Sequence, residues 1–164
     1  MEMHHLHIGF SYVGLIFLCM LFLPNLIWSK YKPKGYEEIS STENKILVWL
    51  ERIGEISVTV LVLIFQDFNI QNINLWSLFL LFSFLFMILY EVYWIRYFKS
   101  ARTLKDFYRS LIYIPVAGAT LPVLAFLLLS IYGKNIFLFV ATLLLGIGHI
   151  GIHLGHKKEI QDQA

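Results

Sequence analysis

The chain has 164 residues, of which 58% are hydrophobic and only 15% are charged. A soluble globular domain carries charge on about a quarter of its residues, so this composition excludes that class and predicts an integral membrane protein. The formal net charge is only +2, and the single cysteine, Cys19, excludes an internal disulfide.

Five hydrophobic segments are long enough to cross a membrane. The hydrocarbon core is about 30 Å thick and an α-helix rises about 1.5 Å per residue, so each crossing needs about 20 apolar residues. We therefore predict an all-α integral membrane protein, a bundle of five transmembrane helices near residues 8–28, 46–66, 75–97, 109–131 and 136–156. Because little chain remains outside these segments, residues 1–164 are predicted to form a single membrane domain.

The basic residues predict the orientation of this bundle. Of the 13 Lys and Arg residues, twelve lie in or beside the first loop, the third loop and the C-terminal tail, and only Lys134 lies on the other side. The positive-inside rule then predicts an N-terminus outside and a cytoplasmic C-terminus. The basic rim favours membrane lipids and not nucleic acid as partners. Abundant Ile, Phe, Leu and Asn indicate an AT-rich genome, so we predict the plasma membrane of a bacterium.

The first predicted helix follows His4, His5 and His7, which are expected to form an exposed tail. The second begins after a capping-box pattern over residues 40–43 and contains Glu51, Arg52 and Glu55. If its membrane part began only after Glu55, about 11 residues would remain, which is about 17 Å and too short. Glu51 and Glu55 are therefore expected inside the hydrocarbon zone, on one face of the helix.

The third predicted helix ends with Tyr90, Glu91, Trp94 and Arg96. Arg96 can extend to the cytoplasmic boundary, and Glu91 lies about 7 Å deeper along the axis. Two prolines and small residues in the fourth segment predict a kinked helix, and a short turn predicts a hairpin with the fifth. The segment before the third helix, residues 66–74, is predicted to be a plain polar turn.

The last predicted helix places three histidines on one line, His149, His153 and His156, while Gly148, Gly151 and Gly155 share another. Small residues let a neighbouring membrane helix approach closely, and ionisable side chains at membrane depth are candidates for function. The sequence His-x-x-x-His lacks the adjacent glutamate of a metalloprotease, since Ile150 follows His149.

Measured from the outer helix ends, Glu51, Glu91 and His149 lie at one depth of about 20–22 Å. We predict a polar cavity there, open to the cytoplasm, between the second, third and fifth helices. The predicted acid, base or catalytic residues are Glu51, Glu55, Glu91, His149 and His153. The predicted ligand-binding residues are Arg52, Tyr90 and Trp94. The histidines His149, His153 and His156 are candidate ligands of a divalent metal, the one cofactor that the sequence offers.

Three functions agree with these residues. The first is binding or converting a lipophilic small molecule by acid-base chemistry, as an enzyme or a binding protein. The second is a proton- or metal-coupled small transporter, which we would expect to be a homodimer because five helices alone make a narrow pathway. The third is a structural or immunity-type membrane partner without catalysis, in which the charges only lock the bundle. In layout alone, with no matching motif, the chain resembles the emopamil-binding group of sterol isomerases and ligand-binding proteins.

Overall fold

The computed structural model describes residues 6–40 and 43–162, and these form helices without any β-strand. The α-helices are α1 (Tyr12–Lys30), α2 (Tyr36–Ser40), α3 (Lys45–Ile64), α4 (Ser77–Lys99), α5 (Leu104–Phe107), α6 (Ala117–Tyr132) and α7 (Ile136–Asp162). Within the described ranges, three of them are long and apolar enough to cross a membrane, namely α1, α4 and α7. The prediction of a helical membrane protein is confirmed at that level.

Side-chain caps fix where two of the helices begin. The Ser11 hydroxyl accepts a hydrogen bond from the Gly14 N–H (2.8 Å) and starts α1. The Asn44 side chain accepts one from the Ile46 N–H (2.9 Å) and starts α3. Of the predicted capping box, Ser41 and Thr42 lie outside the described residues, and Ser40 is the last residue of α2. The N-cap of α3 is therefore Asn44 and not a residue of that box.

The prediction of a helix over residues 109–131 is wrong at its N-terminal end, because α6 begins only at Ala117. Pro115 lacks a backbone N–H and disfavours the helical conformation of the residue before it. Val116 then adopts a left-handed φ of 43°, and a bridge joins Leu111 to Ile114. The chain therefore turns sharply before α6, and of the two prolines only Pro122 lies inside the helix.

Glycines allow α3 and α7 to pack backbone against backbone. A methyl group added to Gly148 would lie 2.3 Å from the backbone nitrogen of Glu51, and one on Gly54 would lie 2.4 Å from that of Leu145. Gly151 contacts Leu47, whereas a methyl group on Gly155 would meet open space. Two of the three glycines on the predicted small face therefore make the close approach to a neighbouring helix.

The segment before α1 is tied to the C-terminal end of α3. The Gly9 N–H donates to the Ile64 carbonyl (2.9 Å), and both His7 Nδ1 and the His7 backbone N–H bond the carboxylate of Asp67 at 2.8 Å. His7 is thus held in place, while His4 and His5 lie outside the described residues. The prediction of a plain polar turn after α3 is also wrong, since Asp67 is buried and anchors this segment.

Candidate functional site

A cavity of about 410 Å³ lies among α1, α3, α4, α6 and α7. One part of its wall is ionisable and consists of Lys32, Glu43, Glu51, Arg52, Glu55, His149 and His153. Another part is apolar and is formed by Leu21, Phe22, Val123, Phe126, Leu145 and Ile152. The cavity therefore offers both a nonpolar surface and groups that exchange protons.

At the centre of the ionisable wall, a hydrogen bond joins Nδ1 of His149 on α7 to Oε1 of Glu51 on α3. The two side chains are 29% and 23% exposed, so water screens their interaction only in part. The contact depends on Gly148, which brings the α3 backbone at Glu51 against α7. Glu51 and His149, which the sequence places at one depth, are therefore in direct contact.

From this pair, a series of titratable side chains follows α7. The ring centroids of His149 and His153 are 4.6 Å apart, and those of His153 and His156 are 6.1 Å apart. His156 Nδ1 is hydrogen-bonded to the Tyr108 hydroxyl at 2.8 Å, and its Nε2 lies 3.2 Å from Glu43 Oε1. That last contact has ion-pair distance without the alignment of a hydrogen bond. The series connects Glu51 to Glu43 through three imidazoles.

Three side chains near His156, outside the long helices, have a raised pKa. Burial, followed by the charges of Glu43 and Glu51, raises the pKa of Tyr36 to about 12. Burial raises the pKa of Tyr108 as well. Burial and the charge of Glu51 raise the pKa of Glu43, and Arg52 opposes this shift. Near neutral pH both phenols therefore keep their protons, and Glu43 takes up a proton more readily than a free carboxylate does.

Aromatic rings close the cavity on the side of α1 and α4. Trp28 stacks on Phe107 with ring centroids 5.5 Å apart, and Tyr36 meets Trp28 edge-on at 4.8 Å. The indole N–H groups of Trp28 and Trp94 lie close to tyrosine hydroxyls but do not form hydrogen bonds within the described chain. Both rings line the cavity, while their nitrogens are buried beside the tyrosine hydroxyls.

Comparisons of the chain with protein-family models, curated proteins and solved structures find no match.

Seven of the predicted residues line the cavity. They are Glu51, Arg52, Glu55, Tyr90, Trp94, His149 and His153. Glu91 is not among the lining residues, and its Oε1 is buried without a hydrogen-bond partner in the described part of the chain. Tyr90 and Trp94 are one turn apart and face the cavity, whereas Glu91 lies 100° around the helix from Tyr90. The sequence places Glu91 at the same depth as Glu51 and His149, but Glu91 lies on a different face of its helix from the cavity-lining residues.

The arrangement gives no support to the predicted metal site. Across residues 6–40 and 43–162, no group of three or more His, Cys, Asp or Glu side chains is placed to hold a metal ion. His149 is engaged by Glu51, and His156 by Tyr108 and Glu43, so the histidine line does not converge on one point.

Sequence analysis missed three titratable residues of the cavity wall, Lys32, Tyr36 and Glu43. All three belong to the segment between α1 and α3, which folds over the end of the bundle so that α2 contacts α7. The segment has no long hydrophobic repeat, so its position depends on tertiary contacts such as the packing of Tyr36 on Trp28. In the sequence, this segment offers only the run of Tyr36, Glu37 and Glu38 as a sign that it could contribute ionisable groups.

Proposed function

We propose that this chain is a single five-span domain in a bacterial plasma membrane and that its cavity binds or converts a lipophilic small molecule by acid-base chemistry. The N-terminus lies outside and the C-terminus in the cytoplasm, following the distribution of basic residues. The observation that carries the proposal is the hydrogen-bonded pair of Glu51 and His149 in the wall of a cavity that is otherwise largely apolar.

The outer face of α3 supports a fourth membrane crossing. Its exposed apolar residues recur every three or four positions along the whole helix: Ile46, Trp49, Ile53, Ile56, Val60 and Ile64. Such a stripe on a helix that packs only on its other side is suited to lipid contact. With lipid along its full length, α3 places Glu51 and Glu55 at membrane depth.

The fifth crossing is α6 together with the residues that precede it. This helix packs against α4 and α7. Because it has 16 residues, its own length is about 24 Å. Before it, Ile112 and Tyr113 are 65% and 99% exposed. Apolar and amphipathic side chains at such positions are suited to the membrane interface and extend the apolar length of the crossing.

The size and lining of the cavity favour a small lipophilic ligand. Small-molecule sites enclose about 300–1,000 Å³ and are mostly apolar with a few polar groups that fix orientation. The volume of about 410 Å³ falls within this range. The apolar wall would hold the hydrocarbon part of the ligand, and the side with Glu51, Glu55 and His149 would hold its polar group.

The Glu51 and His149 pair supplies a proton donor and acceptor at one place. A carboxylate that hydrogen-bonds one ring nitrogen fixes the orientation of the imidazole and leaves its other nitrogen free to act as a base. That nitrogen can accept a proton from a bound molecule, and His153 is the adjacent imidazole along α7. Glu55 lies one helical turn from Glu51 on the same cavity wall and is the second acid-base candidate.

The proposal is tested by identifying what the purified protein retains. Protein in lipid nanodiscs is extracted, and the lipophilic molecules are quantified by mass spectrometry against empty nanodiscs. Val123→Phe places a larger side chain in the cavity, whereas Val140→Phe changes a residue that is 48% exposed on α7. We expect a retained molecule in wild type and Val140→Phe and its loss in Val123→Phe. Equal retention in all three proteins would refute a ligand in this cavity.

One observation favours proton-coupled transport as a second candidate. The imidazoles of His149, His153 and His156 follow one another along α7 from Glu51 to Glu43, two carboxylates of the cavity wall, and such a row of titratable groups could carry protons. Proteoliposomes with an imposed pH gradient test this candidate. Proton flux that is lost in His153→Phe would support it, and absence of flux in wild type would refute it.

A further inference from the structure

A second concave site lies where the ends of α1 and α4 meet the loops that follow them. It encloses about 650 Å³ and is lined by residues 30–32, 34 and 101–105. Five of these carry positive charge: Lys30, Lys32, Lys34, Arg102 and Lys105. No acidic residue is among the lining residues of this part of the described chain. We call it the basic pocket.

The backbone of the loop after α4 holds one of these cations in position. Arg102 adopts a left-handed φ of 56°, a conformation that costs free energy in a non-glycine residue. Its N–H donates to the Ser100 hydroxyl (3.1 Å), and its guanidinium lies 5.0 Å from the ring centroid of Tyr31. This cation-π contact joins the loop after α1 to the loop after α4 and holds the guanidinium at the pocket.

Nearby carboxylates leave most of this charge uncompensated. Asp106 accepts hydrogen bonds from both the N–H and the hydroxyl of Thr103, so it serves the start of α5. Glu37 lies 3.7 Å from Lys32 Nζ, but its side chain is 86% exposed. Like charges held together repel one another, and an anion bound among them removes that cost.

We propose that the basic pocket binds the phosphate group of an anionic lipid headgroup. Basic pockets beside membrane helices recognise phosphate headgroups, with lysine as a point charge and arginine as a two-pronged donor. The location agrees with this source, because the pocket sits at the end of α1 immediately after Trp28, whose ring lies 5.6 Å from Lys32 Nζ. Lys32 also lines the Glu51 cavity, so the bound headgroup would lie beside that cavity.

The test measures binding of short-chain phosphatidic acid to delipidated protein by native mass spectrometry. The variant Lys34→Gln, Arg102→Gln removes two charges from the pocket. The control Lys157→Gln, Lys158→Gln removes two charges near the C-terminal end of α7, outside the pocket. Each basic residue contributes about 1 kcal/mol to headgroup binding, so we expect affinity to fall about 25-fold in the pocket variant. The control should change it less than threefold.

Further measurements identify the source of the phosphate, and a single variant replaces the double variant if that one does not fold. Competition by inorganic phosphate at the same concentration as the lipid would support the phosphate site but assign it to the free anion. Equal losses in the pocket and control variants, or equal binding of phosphatidylcholine, would overturn the proposal. If the double variant does not fold, Lys34→Gln alone should weaken binding about fivefold, and unchanged binding there would also overturn it.

Discussion

His149 and Glu51 are 98 residues apart in the sequence and are joined by a hydrogen bond between α7 and α3. The residue beside His149, Gly148, lies against the backbone of Glu51. Helix packing and the polar pair therefore depend on each other, since any increase in the distance between the two helices would also separate the imidazole from the carboxylate.

Gly148→Ala should destabilise the protein because its methyl group would lie 2.3 Å from the Glu51 nitrogen, which is backbone and cannot rotate away. Overpacking of this kind costs about 1–3 kcal/mol. The free energy of unfolding, measured in detergent micelles by tryptophan fluorescence, should fall by that amount.

Gly155→Ala is the matched control, since a methyl group there meets open space on the same helix. Alanine is favoured over glycine in a helix by about 0.5–1 kcal/mol, so this variant should be as stable as wild type or slightly more stable. Equal destabilisation by both substitutions would contradict the close approach at Gly148.

Glu51→Ala should destabilise the protein more than Glu51→Gln does. Alanine leaves the partly buried Nδ1 of His149 without its partner, which costs about 1–3 kcal/mol. Glutamine retains an oxygen that accepts a hydrogen bond from Nδ1–H, so part of the stability should remain. Unfolding titrations measure both variants, and the ¹⁵N chemical shifts of the His149 ring report its hydrogen bond. Identical stabilities and unchanged ring shifts would show that the pair does not stabilise the protein.

Helix geometry determines which features of this site the sequence could predict. The equal depth of Glu51 and His149 could be predicted because the rise per residue is constant, so depth can be counted from the helix ends. The exclusion of Glu91 from the cavity was not, because the side on which a uniformly apolar helix packs is not encoded by its hydrophobic pattern. Tyr90 and Trp94 on that helix face the cavity instead.

The remaining differences arise where local sequence yields to tertiary contacts. Hydrophobicity extends continuously through residues 111–116, but the proline at 115 delays α6 to Ala117. The segment containing Tyr36 and Glu43 has no helical period long enough to predict its position. Its place over the cavity depends on packing against Trp28 at the end of α1 and against His156, which lies far away in the sequence.

Glu43→Gln should change how stability depends on pH. Burial, then the charge of Glu51, raises the pKa of Glu43 above its ordinary value of 4.5, so the folded protein holds this proton more tightly than the unfolded chain does. The contribution of Glu43 to stability is therefore full at pH values below 4.5 and is lost as the pH rises through the raised pKa. Glutamine cannot lose a proton, so the variant should not show this decline.

Unfolding free energies at a series of pH values check this expectation. The difference between Glu43→Gln and wild type should grow in favour of the variant as the pH rises from 4.5 through the raised pKa, and then become constant. Glu37→Gln, at a side chain that is 86% exposed, is the control and should follow wild type. A variant less stable than wild type above this interval would show that the ion pair of Glu43 with His156 outweighs the cost of burial.

Asp67→Ala should release the segment before α1 from the end of α3. The carboxylate is only 1% exposed and bonds both the backbone N–H and the imidazole of His7, so its removal leaves that N–H without its acceptor. Amide hydrogen exchange should accelerate at Gly9, whose N–H bonds the Ile64 carbonyl, and stability should fall by about 1–3 kcal/mol. Asp67→Asn retains one acceptor oxygen and should show a smaller effect, and Asp162→Ala, at an exposed helix end, should show none. Unchanged exchange at Gly9 in Asp67→Ala would mean that the backbone bridge to α3 holds this segment without the carboxylate.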